Sequence, residues 1–218
     1  MTIITILADH RNGHHPEPSI RAVELAGGQV NVVTVAEANA DALADAAGLL
    51  LPDNAAHERN APAGLRLLEG ALSRDMPVLA TGGGMHLLNA YFGGGPAQPV
   101  NAHREESDAG TVRHQIYLSP GSKVAAIIGS AGMFRVNSRH RLGLREPQRA
   151  ERLMTIAYQL DDGVIEGLES KEHSWVIGVQ FLPERDDEVP ANFRNLFLGL
   201  VERAQEFMES NDKRRNPR

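Results

Sequence analysis

The 218-residue sequence predicts an α/β domain built on a mostly parallel sheet with added antiparallel strands. Three observations predict it. Apolar runs alternate with helical segments over the first 95 residues, at spacings that suit βαβ units. Those runs are apolar at consecutive positions rather than at alternate ones, as strands covered on both faces are. Beyond residue 95 the pattern changes to short strands punctuated by turn residues.

The elements follow in order. "TIITILA" (Thr2 to Ala8) is a β-branched first strand. Ser19 to Ala26 places Ile20 and Val23, with Leu25, on one helical face and stops at Gly27-Gly28, a C-terminal signal. "VNVVTV" reads as the second strand, "EANADALADAA" as an alanine-rich helix and "GLLL" as the third strand. "APAGLRLLEGALSRD" is a helix with Leu65, Leu68 and Leu72 in register, and "PVLA" a fourth strand. Then come "RHQIYLSPGS", "MFRVNS", "RLMTIAYQLDDGVIEGLES" and "WVIGVQF", with Asp162-Gly163 as a hairpin signal. Ala191 to Met208 carries Phe193, Leu196, Phe197, Leu200 and Val201 at helical spacing and should pack on the sheet. No repeat or linker divides the chain, so residues 1–209 are expected to form one domain, followed by a flexible tail at 210–218.

Composition narrows the function. A net charge of -6 gives no reason to propose nucleic-acid binding, and the basic Lys213-Arg214-Arg215 run reads as part of a solvated tail. No stretch approaches the ~18 apolar residues of a membrane span. The start, "MTIITILADHRN", lacks the basic region and the long apolar core of a signal peptide, so a cytoplasmic location is expected. Cysteine is absent, which excludes disulfides, thiolate metal sites and a cysteine nucleophile.

In a parallel sheet, ligands bind beyond the carboxyl ends of the strands, which places the turn Thr81-Gly82-Gly83-Gly84 on the functional edge. The surrounding stretch, "PVLATGGGMHLLNAYFGGG", resembles the nucleophile elbow of class I glutamine amidotransferases, most closely the γ-glutamyl-γ-aminobutyrate hydrolase branch with its P-V-L-G-I-C-R-G-M-Q-L-L-N pattern. Three further segments fall in that family's order. "FRVNSRHRLGL" is similar to its V-N-S-x-H-x-Q stretch, "AYQLDDGVIEGLE" to its A-x-x-x-D-G-x-I-E-A-I-E hairpin, and "GVQFLPE" to its G-V-Q-F-H-P-E. The resemblance implies a flavodoxin-like, three-layer class I glutamine amidotransferase fold.

It implies less for activity. In the family, the elbow cysteine attacks a γ-glutamyl amide, the histidine of H-P-E moves the proton, and the glutamate two residues on orients that histidine. The matching positions here are Gly82, Leu182 and Glu184, and only the glutamate is kept. Pro52-Asp53-Asn54 stands where the family has a glycine-rich oxyanion turn, and proline has no N–H to donate. The arginine after the nucleophile is Gly83, and the glutamine of the V-N-S stretch is Leu142. Losing the nucleophile or its base costs on the order of a million-fold in a serine protease, and a residual oxyanion hole returns only roughly a thousandfold. Efficient cysteine-type hydrolysis is therefore set aside.

The candidate pocket residues are Thr81, Gly82, Gly83, Gly84, His86, Asn137, Ser138 and His140. The glycines are either the relic of a tight elbow or a cradle whose N–H groups still touch an anion. Thr81 sits one residue before the crest and is a poor substitute nucleophile. His86 lies one turn into the helix with no partner nucleophile. His140 suits a loop-anchoring or pocket role, and Asn137 and Ser138 are expected to satisfy the backbone of the same loop. Glu184, without its histidine, should be exposed or paired. His10, His14 and His15 share a loop with no ligand placed by a regular element, so no metal and no cofactor is expected.

Two functions stay open. One is a catalytically degenerate pseudoenzyme that binds a small γ-glutamyl, carboxylate or amine compound, or serves a partner protein or its own homo-oligomer as a regulatory subunit. The other is a hydrolase of γ-glutamyl compounds that uses His86 or His140 as base toward water. A purely structural subunit with a closed pocket is a third possibility.

Overall fold

The computed structural model describes residues 1–8, 16–101, 103 and 112–215. In chain order the strands are β1 (Ile3–Ala8), β2 (Gln29–Thr34), β3 (Gly48–Leu51), β4 (Val78–Thr81), β5 (Gln98–Pro99), β6 (Val112–Leu118), β7 (Gly132–Ser138), β8 (Leu142–Gly143), β9 (Leu153–Gln159), β10 (Ile165–Ser170) and β11 (Val176–Val179). The helices are α1 (Glu17–Leu25), α2 (Ala61–Leu72), α3 (Gly83–Tyr91), α4 (Lys123–Ile128) and α5 (Asn195–Arg215). Short 3₁₀ turns occupy Ala40–Leu43, Asp53–Ala56, Glu146–Gln148 and Ala191–Arg194.

Nine strands form one sheet in the order β2-β1-β3-β4-β11-β10-β9-β6-β7. The first five are mutually parallel. From β11 onward each neighbour runs antiparallel. The carboxyl ends of β4, β11 and β7 therefore share one edge with the amino ends of β10 and β6, and the functional side chains gather there.

The doubly covered strands explain their unbroken apolar runs. Leu49, Leu51, Val78 and Ala80 pack with α2 and α3 on one face. Leu50, Leu79, Ile4 and Ile6 pack with α1, α4 and α5 on the other. Successive side chains of one strand thus feed two cores, and a polar residue at either parity would be buried. Phe193, Leu196, Phe197, Leu200 and Val201 are buried as their spacing predicts.

Several elements differ from the sequence reading. The helix expected over "EANADALADAA" is only the 3₁₀ turn at Ala40–Leu43, where Asn39 Oδ1 accepts the N–H groups of Asp41 and Ala42. Leu43 and Ala46 are too few apolar contacts to hold a longer amphipathic helix before the chain enters β3. Leu65 is on the outer face of α2, whose buried stripe is Leu67, Leu68, Ala71 and Leu72. Leu25 is 73% exposed at the end of α1, whereas Val23 is buried. Helix α4, starting at Ser122 whose Oγ accepts the N–H of Ala125, had no counterpart in the sequence reading. Helix α5 continues to Arg215, through most of the stretch expected as a tail. Among the described residues no helix is long and apolar enough to cross a membrane. His10, His14 and His15 lie outside the described residues.

Candidate functional site

The elbow at the end of β4 has kept its shape. Gly82 has φ 54° and ψ -123°, a combination that glycine adopts far more readily than any residue with a Cβ, and α3 begins at the next residue. Its N–H donates to Val179 O of β11 at 2.9 Å, which pins the crest to the neighbouring strand.

The crest is covered. A Cβ added at Gly82 would stand 2.3 Å from Asp53 Oδ1 and 2.9 Å from Asp53 Cβ. The Asp53 carboxylate accepts the N–H of Gly83 at 2.8 Å. The side chain of the turn expected to supply an oxyanion donor thus fills the space of the missing nucleophile, as an anion on the free N–H groups of a helix start. Behind it, a Cβ at Gly83 would meet Asp53 O at 2.3 Å, and one at Gly84 would meet Leu51 O at 2.2 Å. The glycines are required by close packing against β3 and its turn, and the N–H groups of Gly82 and Gly83 already have acceptors within the protein.

Behind the crest lie Leu182 and Glu184, the positions that the resemblance matches to a histidine and a glutamate. Leu182 is held by Asn137, whose Nδ2 donates to Leu182 O at 2.9 Å and whose Oδ1 accepts the Leu182 N–H at 2.8 Å. Asn137 therefore serves the segment after β11, not its own loop as the sequence suggested. Glu184 is half-buried, accepting from Thr81 Oγ1 at 3.1 Å and Ser19 Oγ at 3.5 Å, while its buried Oε2 has no hydrogen-bond donor among the described residues. Burial, with the charge of Asp53 adding to it, pushes its carboxyl up to about 7. A small cavity of about 90 Å³ lies between Pro52, Asp53, Leu182, Glu184 and Ser19.

Farther along the same edge, α3 presents His86, whose Nε2 is 2.5 Å from Gln180 Oε1. Burial lowers its pKa, which favours the neutral ring. Gln180 N–H in turn donates to Glu166 O. Glu166, on β10, is fully buried and faces three histidines. His114 Nε2 of β6 is 3.4 Å from Oε2, and His140 Nε2, just past β7, is 3.5 Å from Oε1. Both are at ion-pair distance but outside hydrogen-bond alignment, so neither Glu166 oxygen has a hydrogen-bond donor among the described residues. His103 Nδ1 is 3.1 Å from His140 Nε2, and its Nε2 is 3.0 Å from Asp162 Oδ2. Ser138 Oγ donates to His103 O at 2.7 Å.

The charge state follows from these contacts. Burial would raise Glu166, but His114 and His140 outweigh it and hold the carboxyl at about 2. Burial would lower His140, but Glu166 raises it overall. His103 is lowered by burial and then by His140.

Of the sequence candidates, Thr81, Gly82 to Gly84, Asn137 and the Pro52 turn meet at the elbow. His86, Ser138 and His140 belong to the neighbouring histidine group. Sequence reasoning missed His103, His114 and Glu166 as functional candidates. His114 fell in a strand already identified, and Glu166 in a hairpin motif, but nothing local tied them to His140.

Known proteins agree with this architecture. The family profile of Peptidase C26 matches residues 19–184. A Schizosaccharomyces pombe protein named as a candidate glutamine amidotransferase is 30% identical over 152 residues, covering 67% of this chain and 58% of that protein. The gamma-glutamyl-gamma-aminobutyrate hydrolase of Escherichia coli O157:H7 is 26% identical, covering 65% and 59%. The aligned part thus spans just under three fifths of these relatives' length. Among solved structures, the glutaminase domain of Trypanosoma brucei CTPS, with bound acivicin, superposes with a TM-score of 0.75 at 15% identity over 94% of each chain. That likeness speaks to the fold, which is the flavodoxin-like one of class I glutamine amidotransferase domains. With the profile covering most of its length, this chain belongs to the Peptidase C26 family, class I glutamine amidotransferase-like proteins.

Proposed function

We propose that this family member no longer hydrolyses γ-glutamyl amides and instead binds a small amine-bearing ligand at the old active-site edge, as a binding or regulatory subunit. The observation that carries the reading is the Asp53 carboxylate seated over Gly82, on the N–H of Gly83. It fills the nucleophile's space and opposes any substrate oxyanion that would approach that N–H. The absence of cysteine and the leucine at position 182 support it from the sequence.

The amine preference rests on the cavity beside the crest. Its charged lining is Asp53, Glu184 and Arg185, and Glu184 Oε2 lacks a hydrogen-bond donor among the described residues. A protonated amine supplies a positive charge to Asp53 and hydrogen bonds to Glu184 Oε2, whereas a carboxylate would face the Asp53 charge. At about 90 Å³ the space suits a group of a few heavy atoms.

The test is an end-point assay of the purified full chain with glutamine and with γ-glutamyl-γ-aminobutyrate, measuring released glutamate. The expected outcome is none above the buffer rate. Turnover that persists after chelation and is lost in His86→Ala or His140→Ala establishes the alternative, a γ-glutamyl hydrolase with a histidine base. A thermal shift with n-propylamine and none with propionate is the expected ligand result. The reverse order overturns the amine assignment.

A further inference from the structure

We infer that His103, His114, His140 and Glu166 form a binding site for one zinc-class divalent cation. The inference is independent of the function proposed above. One ligand atom from each of the four lies within 4.8 Å of every other. Zinc bonds of ~2.0–2.2 Å in tetrahedral array separate their donors by about 3.3–3.5 Å. His103 Nδ1 and His140 Nε2 are 3.1 Å apart and His140 Nε2 is 3.5 Å from Glu166 Oε1, while His114 Nε2 is 3.4 Å from the other oxygen of the same carboxylate, Oε2. Small side-chain rotations bring the widest pair to the same spacing.

Two of the ligands, His140 and His103, are also oriented as metal ligands are. His140 Nδ1 lies 2.9 Å from Leu142 O, which only accepts, so that nitrogen carries a proton and Nε2 is the free donor atom. His103 Nε2 lies 3.0 Å from the Asp162 carboxylate, which fixes its proton there and leaves Nδ1 free. Two lone pairs therefore converge at 3.1 Å, an arrangement that needs a cation between them, either a proton or a metal. A carbonyl or carboxylate on the outer nitrogen is the usual partner of a zinc-bound imidazole.

Unsatisfied atoms point the same way. Both ring nitrogens of His114 and both oxygens of Glu166 are buried without a hydrogen-bond partner among the described residues. Such groups are costly to bury, and native structures keep few of them. A bound ion taking one atom from each residue satisfies two of the four, one on His114 and one on Glu166. Imidazole with carboxylate is a borderline donor set that selects zinc over magnesium or calcium, which prefer all-oxygen sites. The side chains of His103, His114 and His140 are 4%, 9% and 8% exposed and Glu166 0%, so the site is closed and its ion structural. The ion joins the segment at residue 103 to β6, the end of β7 and β10.

The test is titration of chelator-stripped full chain with zinc chloride by calorimetry, with X-ray absorption of the loaded protein. The expected result is one equivalent bound, three imidazoles in the outer-shell scattering, a raised melting temperature, and no such response to magnesium. Glu166→Gln, which keeps shape, should weaken binding by about a hundredfold, and Asp162→Asn, which only orients His103, by about tenfold. His14→Ala with His15→Ala should leave the stoichiometry unchanged. Absence of binding, scattering without histidine, or loss of binding in the His14/His15 variant overturns the site. Should Glu166→Gln fail to fold, the absorption spectrum of the wild-type chain decides alone.

Discussion

Gly84 shows how little room the old elbow leaves. A methyl group there would lie 2.2 Å from a backbone oxygen that has no rotamer to escape by. Gly84→Ala is therefore expected to destabilise by about 3 kcal/mol or more, since overpacking against side chains alone costs about 1–3 kcal/mol. Urea unfolding of the two proteins measures it. Glu184 gives a pH signature of the opposite kind. It keeps its proton to about pH 7 when folded and loses it in the ordinary carboxylate range when unfolded. The folded chain thus binds the extra proton between those values, so stability falls as pH rises through that window and levels off above it. The effect amounts to as much as about 3 kcal/mol at 1.36 kcal/mol per pKa unit. Glu184→Gln should remove that slope in unfolding midpoints compared at pH 5 and pH 8. Absence of a cysteine and the leucine at 182 were legible residue by residue, but the seat of the Asp53 carboxylate was not. A turn residue thirty positions upstream of the crest carries no local mark of where its side chain ends.

At the scale of elements, α3 is held at both ends by side chains rather than by caps of its own sequence. Its start rests under Asp53, and near its end the fully buried Asn89 donates to Gly95 O and Gln148 O and accepts the Ala150 N–H. Asn89→Ala leaves the buried Ala150 N–H without its acceptor and takes a donor from the half-buried Gly95 O and Gln148 O, so a loss of about 1–3 kcal/mol is expected in denaturant titration. Most elements of the sheet could be read from the sequence because each strand's composition records burial on one or both faces. The segment at 36–47 misled because alanine content mimics helix propensity, whereas an amphipathic stripe is what holds a short helix in a protein. The histidine group was illegible for a topological reason. Its members come from a loop, β6, the end of β7 and β10, and they meet only because antiparallel pairing returns those ends to one edge. Periodicity within a strand says nothing of strand order.

For the whole molecule, the two apolar layers share every central strand of the sheet, so neither can melt while the other stands. The single tryptophan, Trp175, is buried beside α5, next to the middle of the sheet order. Unfolding followed by its fluorescence and by far-ultraviolet circular dichroism is expected to give one coincident transition; separated midpoints would show independent halves. Phe197→Ala, in the layer that α5 closes, should cost about 3–5 kcal/mol and lower both midpoints together.

The turn over Gly82 also bears on ancestry. Return of a cysteine to that position alone meets the Cβ of Asp53 at 2.9 Å and a backbone conformation that suits glycine. Removal of Asp53 alone strips the charge from the start of α3 and gains no nucleophile. Each change alone therefore costs packing or helix-start stabilisation without pairing a nucleophile with a base, and Leu182 would have to change as well. On the proposed reading the carboxylate works as a ratchet, because any return to cysteine at the crest must first displace the group that now holds the start of α3.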